Sequence, residues 1–173
     1  DMAMGDVGVI AHGTTLVTNA LIERRGAATG VLCTQGFSDV FDIARERRYD
    51  MYDLTITYPE PLSPRSLRAE IDERIAADGS ITSALDPQDV LEAVQRLIDD
   101  QAIAALAVCF LNSPANPAHE NAAADLVREH FPDLYVSTSS DVFPFLREYE
   151  RWTTTVMNAF CGPMFDGYLS MLE

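Results

Sequence analysis

His12-Gly13-Thr14-Thr15 gathers in four residues the groups that grip an anion: an imidazole, a glycine and two hydroxyls. The apolar run Val7–Ala11 before it reads as a buried strand, and Thr14–Arg25 after it reads as a helix. A strand-to-helix junction presents unpaired backbone N–H groups, and the helix dipole there favours negative charge. Gly13 permits close approach of a ligand. Thr18 and Asn19, one turn on, either face that ligand or support the loop. Ordinary helix capping accounts for the same residues, and both readings stay open.

Two further clusters carry charge. Arg45, Arg47 and Arg48 lie beside Tyr49, Tyr52 and Asp53 in a chain that is otherwise strongly acidic. Such a group can hold a carboxylate or phosphate, although a surface loop or subunit contact fits slightly better. Arg147, Glu148, Glu150 and Arg151 precede Thr153-Thr154-Thr155 and Asn158. Their spacings of three and four favour an ion-paired helix face over a ligand site. His119 and His130 stand about three helical turns apart, too far to share a metal, and read as structural or exposed. No metal site is expected, because no H-x-x-x-H or C-x-x-C spacing occurs, and the common phosphate-loop, dinucleotide and serine-nucleophile motifs are also missing.

The elements that must position these residues alternate between strand and helix. Thr29–Thr34 reads as a strand closed by Gln35-Gly36, and Ser38 as the cap of a short helix through Ala44. Residues 45–64 look irregular. Leu67–Ile75 alternates like a half-exposed strand, and Asp78-Gly79 turns it toward a hairpin partner at Ile81. Asp86-Pro87 opens a helix with a stripe of Val90, Leu91, Val94, Leu97 and Ile98. Ile103–Leu111 is a strand, Asn116-Pro117 opens a helix through His130, and Asp133–Thr138 is another strand. The last helix spans Arg147–Leu172, with Pro163 expected to kink or interrupt it. This order predicts an α/β fold, a mostly parallel sheet flanked by helices with an inserted β-hairpin.

The chain has 173 residues, of which 47% are hydrophobic and 23% charged, enough for one domain with a sizeable core. A formal charge of −15 argues against nucleic acid as a partner. Cys33, Cys109 and Cys161 sit in apolar runs, as expected of buried, reduced thiols in a cytoplasmic protein. No apolar run reaches the roughly 20 residues of a membrane helix, no signal peptide is visible, and the first residue is Asp1, which suggests a trimmed chain.

Several motifs together carry a resemblance. H-G-T-T-L-V-T-N-A-L-I-E-R-R-G-A at 12–27 is followed in order by G-F-S-D-V-F-D-I-A-R-E-R-R-Y-D-M-Y-D-L at 36–54, P-E-P-L at 59–62, N-P-A-H-E at 116–120 and R-E-Y-E-R-W-T-T-T-V-M-N-A at 147–159. This series resembles the N-terminal region of the hydantoinase A/5-oxoprolinase family across all of 1–173. The resemblance implies a partial actin/hexokinase-type (ribonuclease H-like) ATPase domain. It also implies ATP-driven activation of an amide or enolate oxygen, followed by hydrolysis or carboxylation, as in 5-oxoprolinases, N-methylhydantoinases and ketone carboxylase subunits. The family's D-x-G-G-T phosphate loop and its later glycine-rich phosphate motif do not occur in this chain. Mg-ATP is therefore implied for a longer parent, and no cofactor is expected for this chain alone. The implied partners are the remainder of the parent and a second hydantoinase-type subunit, in an oligomer with an exposed sheet edge. His12, Gly13, Thr14 and Thr15 would lie near the interdomain cleft. Trp152, where the family often has a small polar residue, is expected to meet a neighbouring domain or subunit.

Overall fold

The computed structural model describes residues 13–46 and 50–172. The expected strand Val7–Ala11, together with His12, Arg47, Arg48 and Tyr49, lies outside the described residues. In chain order the elements are α1 (Leu16–Glu23), β1 (Thr29–Thr34), α2 (Val40–Ile43), a 3₁₀ turn (Arg65–Leu67) and β2 (Arg68–Ile71). There follow β3 (Arg74–Ile75), β4 (Ile81–Ser83), α3 (Pro87–Gln101), β5 (Ala105–Cys109), α4 (Ala118–His130), β6 (Tyr135–Thr138), α5 (Ser139–Val142) and α6 (Glu148–Ser170).

Among the described residues, four strands form a parallel sheet in the order β2-β1-β5-β6. The register runs from Thr29 opposite Ala105 to Cys33 opposite Cys109. Strands β1 and β5 are buried along their whole length, and such strands are dominated by apolar residues, as both are. Their alternation sends Leu32, Leu106 and Val108 toward Val90, Val94 and Leu97 of α3 and Ala123 and Val127 of α4. Val31, Cys33, Ala107 and Cys109 point the other way, onto Phe41 of α2 and Trp152, Val156 and Ala159 of α6. Helix α3 starts where the sequence places it: Asp86 accepts from the Gln88 N–H at 2.8 Å, and Pro87 sits in the first turn. Burying its Val90, Val94 and Leu97 contributes about 1.5–3 kcal/mol each.

Five local expectations are corrected. Helix α1, expected over Thr14–Arg25, runs only from Leu16 to Glu23, with Arg24 in the left-handed region (φ 52°). Ser38 does not cap α2, because its hydroxyl donates to Glu70. The strand expected over 67–75 is broken at Asp72-Glu73. Its first half joins the parallel sheet and only Arg74–Ile75 forms the hairpin with β4, because Glu73 turns inward to reach Thr34 and His119. Helix α6 is not interrupted at Pro163, which lies inside it. Trp152 meets no neighbour outside the chain: it is fully buried and stacks at a tilt on Phe41, with centroids 6.0 Å apart.

Candidate functional site

Gly13, Thr14 and Thr15 lie exposed at the N-terminus of α1, and a Cβ on Gly13 would meet nothing within 4 Å. Thr14 Oγ1 accepts from the Leu16 N–H at 3.1 Å, a local side-chain turn just ahead of α1. Asn19 donates its side-chain amide to Thr15 Oγ1 at 3.4 Å, and Thr18 is exposed. The N-cap of α1, Thr15, makes no side-chain cap bond of its own.

The opposite end of α1 reaches a cleft of about 680 Å³, walled by α1, α2, the segment 58–63 and the start of α6. Arg24 ties the C-terminal end of α1 to the Glu60 carbonyl at 2.5 Å. Arg45 and Glu150, more than a hundred residues apart in sequence, form an ion pair at 2.5–2.6 Å beside the same cleft. The backbone N–H of Glu150 and then Arg45 hold the Glu150 carboxyl below its usual range. Arg147 joins these two around a shallower depression next to the cleft. Asp42, at the cleft wall, is held below the usual carboxylate range chiefly by its hydrogen bonds from Arg68.

The other candidates separate. Arg151 does not belong to an ion-paired surface face. It is fully buried and donates to Ser139 Oγ at 3.0 Å, the Phe145 carbonyl at 3.0 Å and the Phe110 carbonyl at 3.2 Å. Asn158 donates to Ser137 Oγ at 2.9 Å and ties α6 to β6. Arg48 and His12 lie outside the described residues.

Sequence reasoning missed two buried polar networks at the carboxyl ends of the strands, where ligands gather in parallel α/β sheets. In one, Glu120 accepts from the Phe110 N–H at 2.8 Å, Ser139 Oγ at 2.6 Å and the Ser140 N–H at 2.7 Å, so that Ser139 links it to Arg151. In the other, Glu73 receives the Thr34 hydroxyl through one oxygen and meets His119 Nδ1 at 2.7 Å through the other. His119 is thus the structural residue expected, and His130 is exposed. A signal was present: His119 and Glu120 share helical spacing with Ala123, Ala124 and Val127, all buried. Among the described residues, no three His, Cys, Asp or Glu side chains are grouped to hold a metal.

The cysteines are free and buried. Burial, with Glu70 nearby, pushes the Cys33 thiol up to about 12. Burial also raises Cys109 and Cys161. None is a candidate nucleophile.

Residues 1–131 match the family described as the hydantoinase/oxoprolinase N-terminal region. The chain is 38% identical over 172 residues to caprolactamase subunit alpha of Pseudomonas jessenii, covering 98% of this chain and 25% of that protein. It is 30% identical over 167 residues to the acetophenone carboxylase gamma subunit of Aromatoleum aromaticum, covering 89% and 23%. The crystal structure of ATP-dependent caprolactamase from Pseudomonas jessenii superposes with a TM-score of 0.85 at 40% identity, covering 92% of this chain and 23% of that one. The chain thus spans about a quarter of the length of each of these relatives.

Proposed function

The chain belongs to the hydantoinase/oxoprolinase family, and from that premise we propose that it is part of an ATP-dependent cyclic-amide hydrolase and is inactive alone. The observation that carries this reading is the 38% identity, along 98% of the chain, to a protein whose name denotes cleavage of a lactam. An unstrained cyclic amide is a poor electrophile, and ATP supplies activation of its oxygen by phosphoryl transfer. The exposed Gly13, Thr14 and Thr15, at the N-terminus of α1, suit phosphate oxygens. Ligands for Mg²⁺ come from the remainder of a longer chain. Further partners are a second hydantoinase-type subunit and other copies in an oligomer, and the free buried thiols suit the cytoplasm. Hydantoins, N-methylhydantoins and 5-oxoproline are the substrate class.

Two measurements test this. Calorimetric titration of Mg-ATP into the 173-residue chain is expected to give no binding; saturable binding would overturn the division of labour. In the longer protein, Thr14→Ala with Thr15→Ala is expected to abolish lactam- or hydantoin-dependent ATP turnover, and full activity would refute the assignment. The similarity to a carboxylase subunit favours a second reading, a subunit of an ATP-dependent ketone carboxylase. ATP turnover that requires bicarbonate would select it.

A further inference from the structure

Cys33 and Cys109 stand opposite one another in the ladder between β1 and β5. Both side chains leave the sheet on the same face, into the cluster that also holds Trp152, Val156 and Ala159. Both are free thiols and fully buried. Neighbouring strands lie about 4.8 Å apart, inside the window of about 4.4–6.8 Å between α-carbons that a disulfide spans. Cys161 has no such partner, for it packs with Ala20 and Phe160 in a separate cluster.

In the closed sheet the pair is inert. Each sulfur is engaged elsewhere: Cys33 Sγ donates to the Ala69 carbonyl of β2 at 3.7 Å, and Cys109 meets the Thr155 side chain of α6. Burial raises both thiols, so the thiolate that attacks an oxidant is scarce, and no solvent reaches either residue. The parting of β1 from β5 lifts these obstacles for both residues at once, because both stand on the ladder that opens.

We propose that Cys33 and Cys109 are a redox-sensitive pair, silent in the closed sheet, that joins β1 to β5 by a disulfide when the strands part in the presence of a disulfide oxidant. With oxidised glutathione, one cysteine thiolate attacks the oxidant and releases one glutathione thiolate, leaving a mixed disulfide. The second cysteine thiolate attacks the protein sulfur of that bond and releases the other glutathione. Two electrons pass from the cysteines to the oxidant, and the two cysteine protons end on the released thiolates. The bridge fixes the native register, so the chain refolds around it. A disulfide sets its β-carbons about 3.8 Å apart, so the strands draw together by about 1 Å, and the resulting strain makes the bond readily reducible. The pair is independent of the cyclic-amide reading.

The test incubates the 173-residue chain with oxidised and reduced glutathione, which lets pairings exchange, in native buffer and at the urea midpoint of unfolding. In native buffer all three thiols are expected to stay free. At the midpoint only the Cys161 thiol is expected to survive, and peptide mass spectrometry should find the 33–109 bridge in several-fold excess over 109–161. Cys109 lies nearer in sequence to Cys161 than to Cys33, so random pairing favours the opposite order. Dilution should restore the native circular dichroism with a shifted emission of Trp152, the single tryptophan, and dithiothreitol should return all the thiols. Cys161→Ala is expected to leave the rate and the bridge unchanged. No bridge, a majority of 109–161, or a 33–109 form that fails to regain the native circular dichroism would overturn the proposal. Thiol loss in native buffer as fast as at the midpoint would overturn it as well, by showing that the closed sheet does not silence the pair.

Discussion

Arg151→Met is the most exacting perturbation of this fold. Arg151 is fully buried, and its three donated hydrogen bonds join α6 to Ser139, Phe145 and Phe110. Methionine nearly fills the volume but donates nothing. The Phe110 and Phe145 carbonyls lose a donor, and the buried Glu120 carboxylate, linked to Arg151 through Ser139 Oγ, loses its counter-charge. Removing one member of a buried charged network costs about 3–5 kcal/mol. For a chain of this size each kcal/mol moves the melting temperature by about 2–4 °C, so the drop is roughly 6–20 °C. Urea denaturation followed by circular dichroism measures this directly, with an unchanged m-value as the check that the unfolded reference is the same. The combined Glu120→Gln, Arg151→Met variant should lose less than the sum of the single losses, because the two groups share one network. A loss under about 1 kcal/mol for Arg151→Met, or strict additivity with Glu120→Gln, would refute the coupling.

Three further outcomes follow from the same coordinates. Gly162→Ala places a Cβ 2.2 Å from the Tyr135 ring and is expected to cost about 1–3 kcal/mol through overpacking; an unchanged thermal melt would contradict the contact. Cys33 has a folded pKa raised to about 12, so its stabilising share is fully present below the unfolded thiol value near about 8.5 and fades as pH rises from there toward the folded value. Cys33→Ala should flatten the alkaline limb of stability between pH 8 and 11, and native protein should resist thiol reagents at pH 8. The folded pKa of Asp42 is lowered, chiefly by hydrogen bonds from Arg68, so its share is present above the unfolded value of about 3.9 and is lost as pH falls through the folded one. Asp42→Asn should lose less stability than the parent on acidification below pH 5, and coincident acid limbs would remove Asp42 from the account.

The sequence alone determined the α/β order, and the reason is periodicity. Strands buried on both faces are mostly apolar, as in Thr29–Thr34, where only the end threonines carry hydroxyls, and Ala105–Cys109. A surface helix such as α3 must carry one stripe behind a capping Asp86. It also determined the family, through ordered motifs whose meaning survives without coordinates. It did not determine where single polar side chains go, because a side chain's partner is set by distance in space. Arg45 finds Glu150 across 105 residues, Glu73 breaks a regular strand to reach His119, and Arg151 turns inward while Glu150, one position earlier, stays near the surface. Trp152 had the composition of an interface residue, yet the close approach of α6 to β5 left only a core position for it. The unbonded hydroxyls of Ser63 and Thr153 belong to the same class: each residue is ordinary in sequence, and only the packing around them shields both oxygens from water.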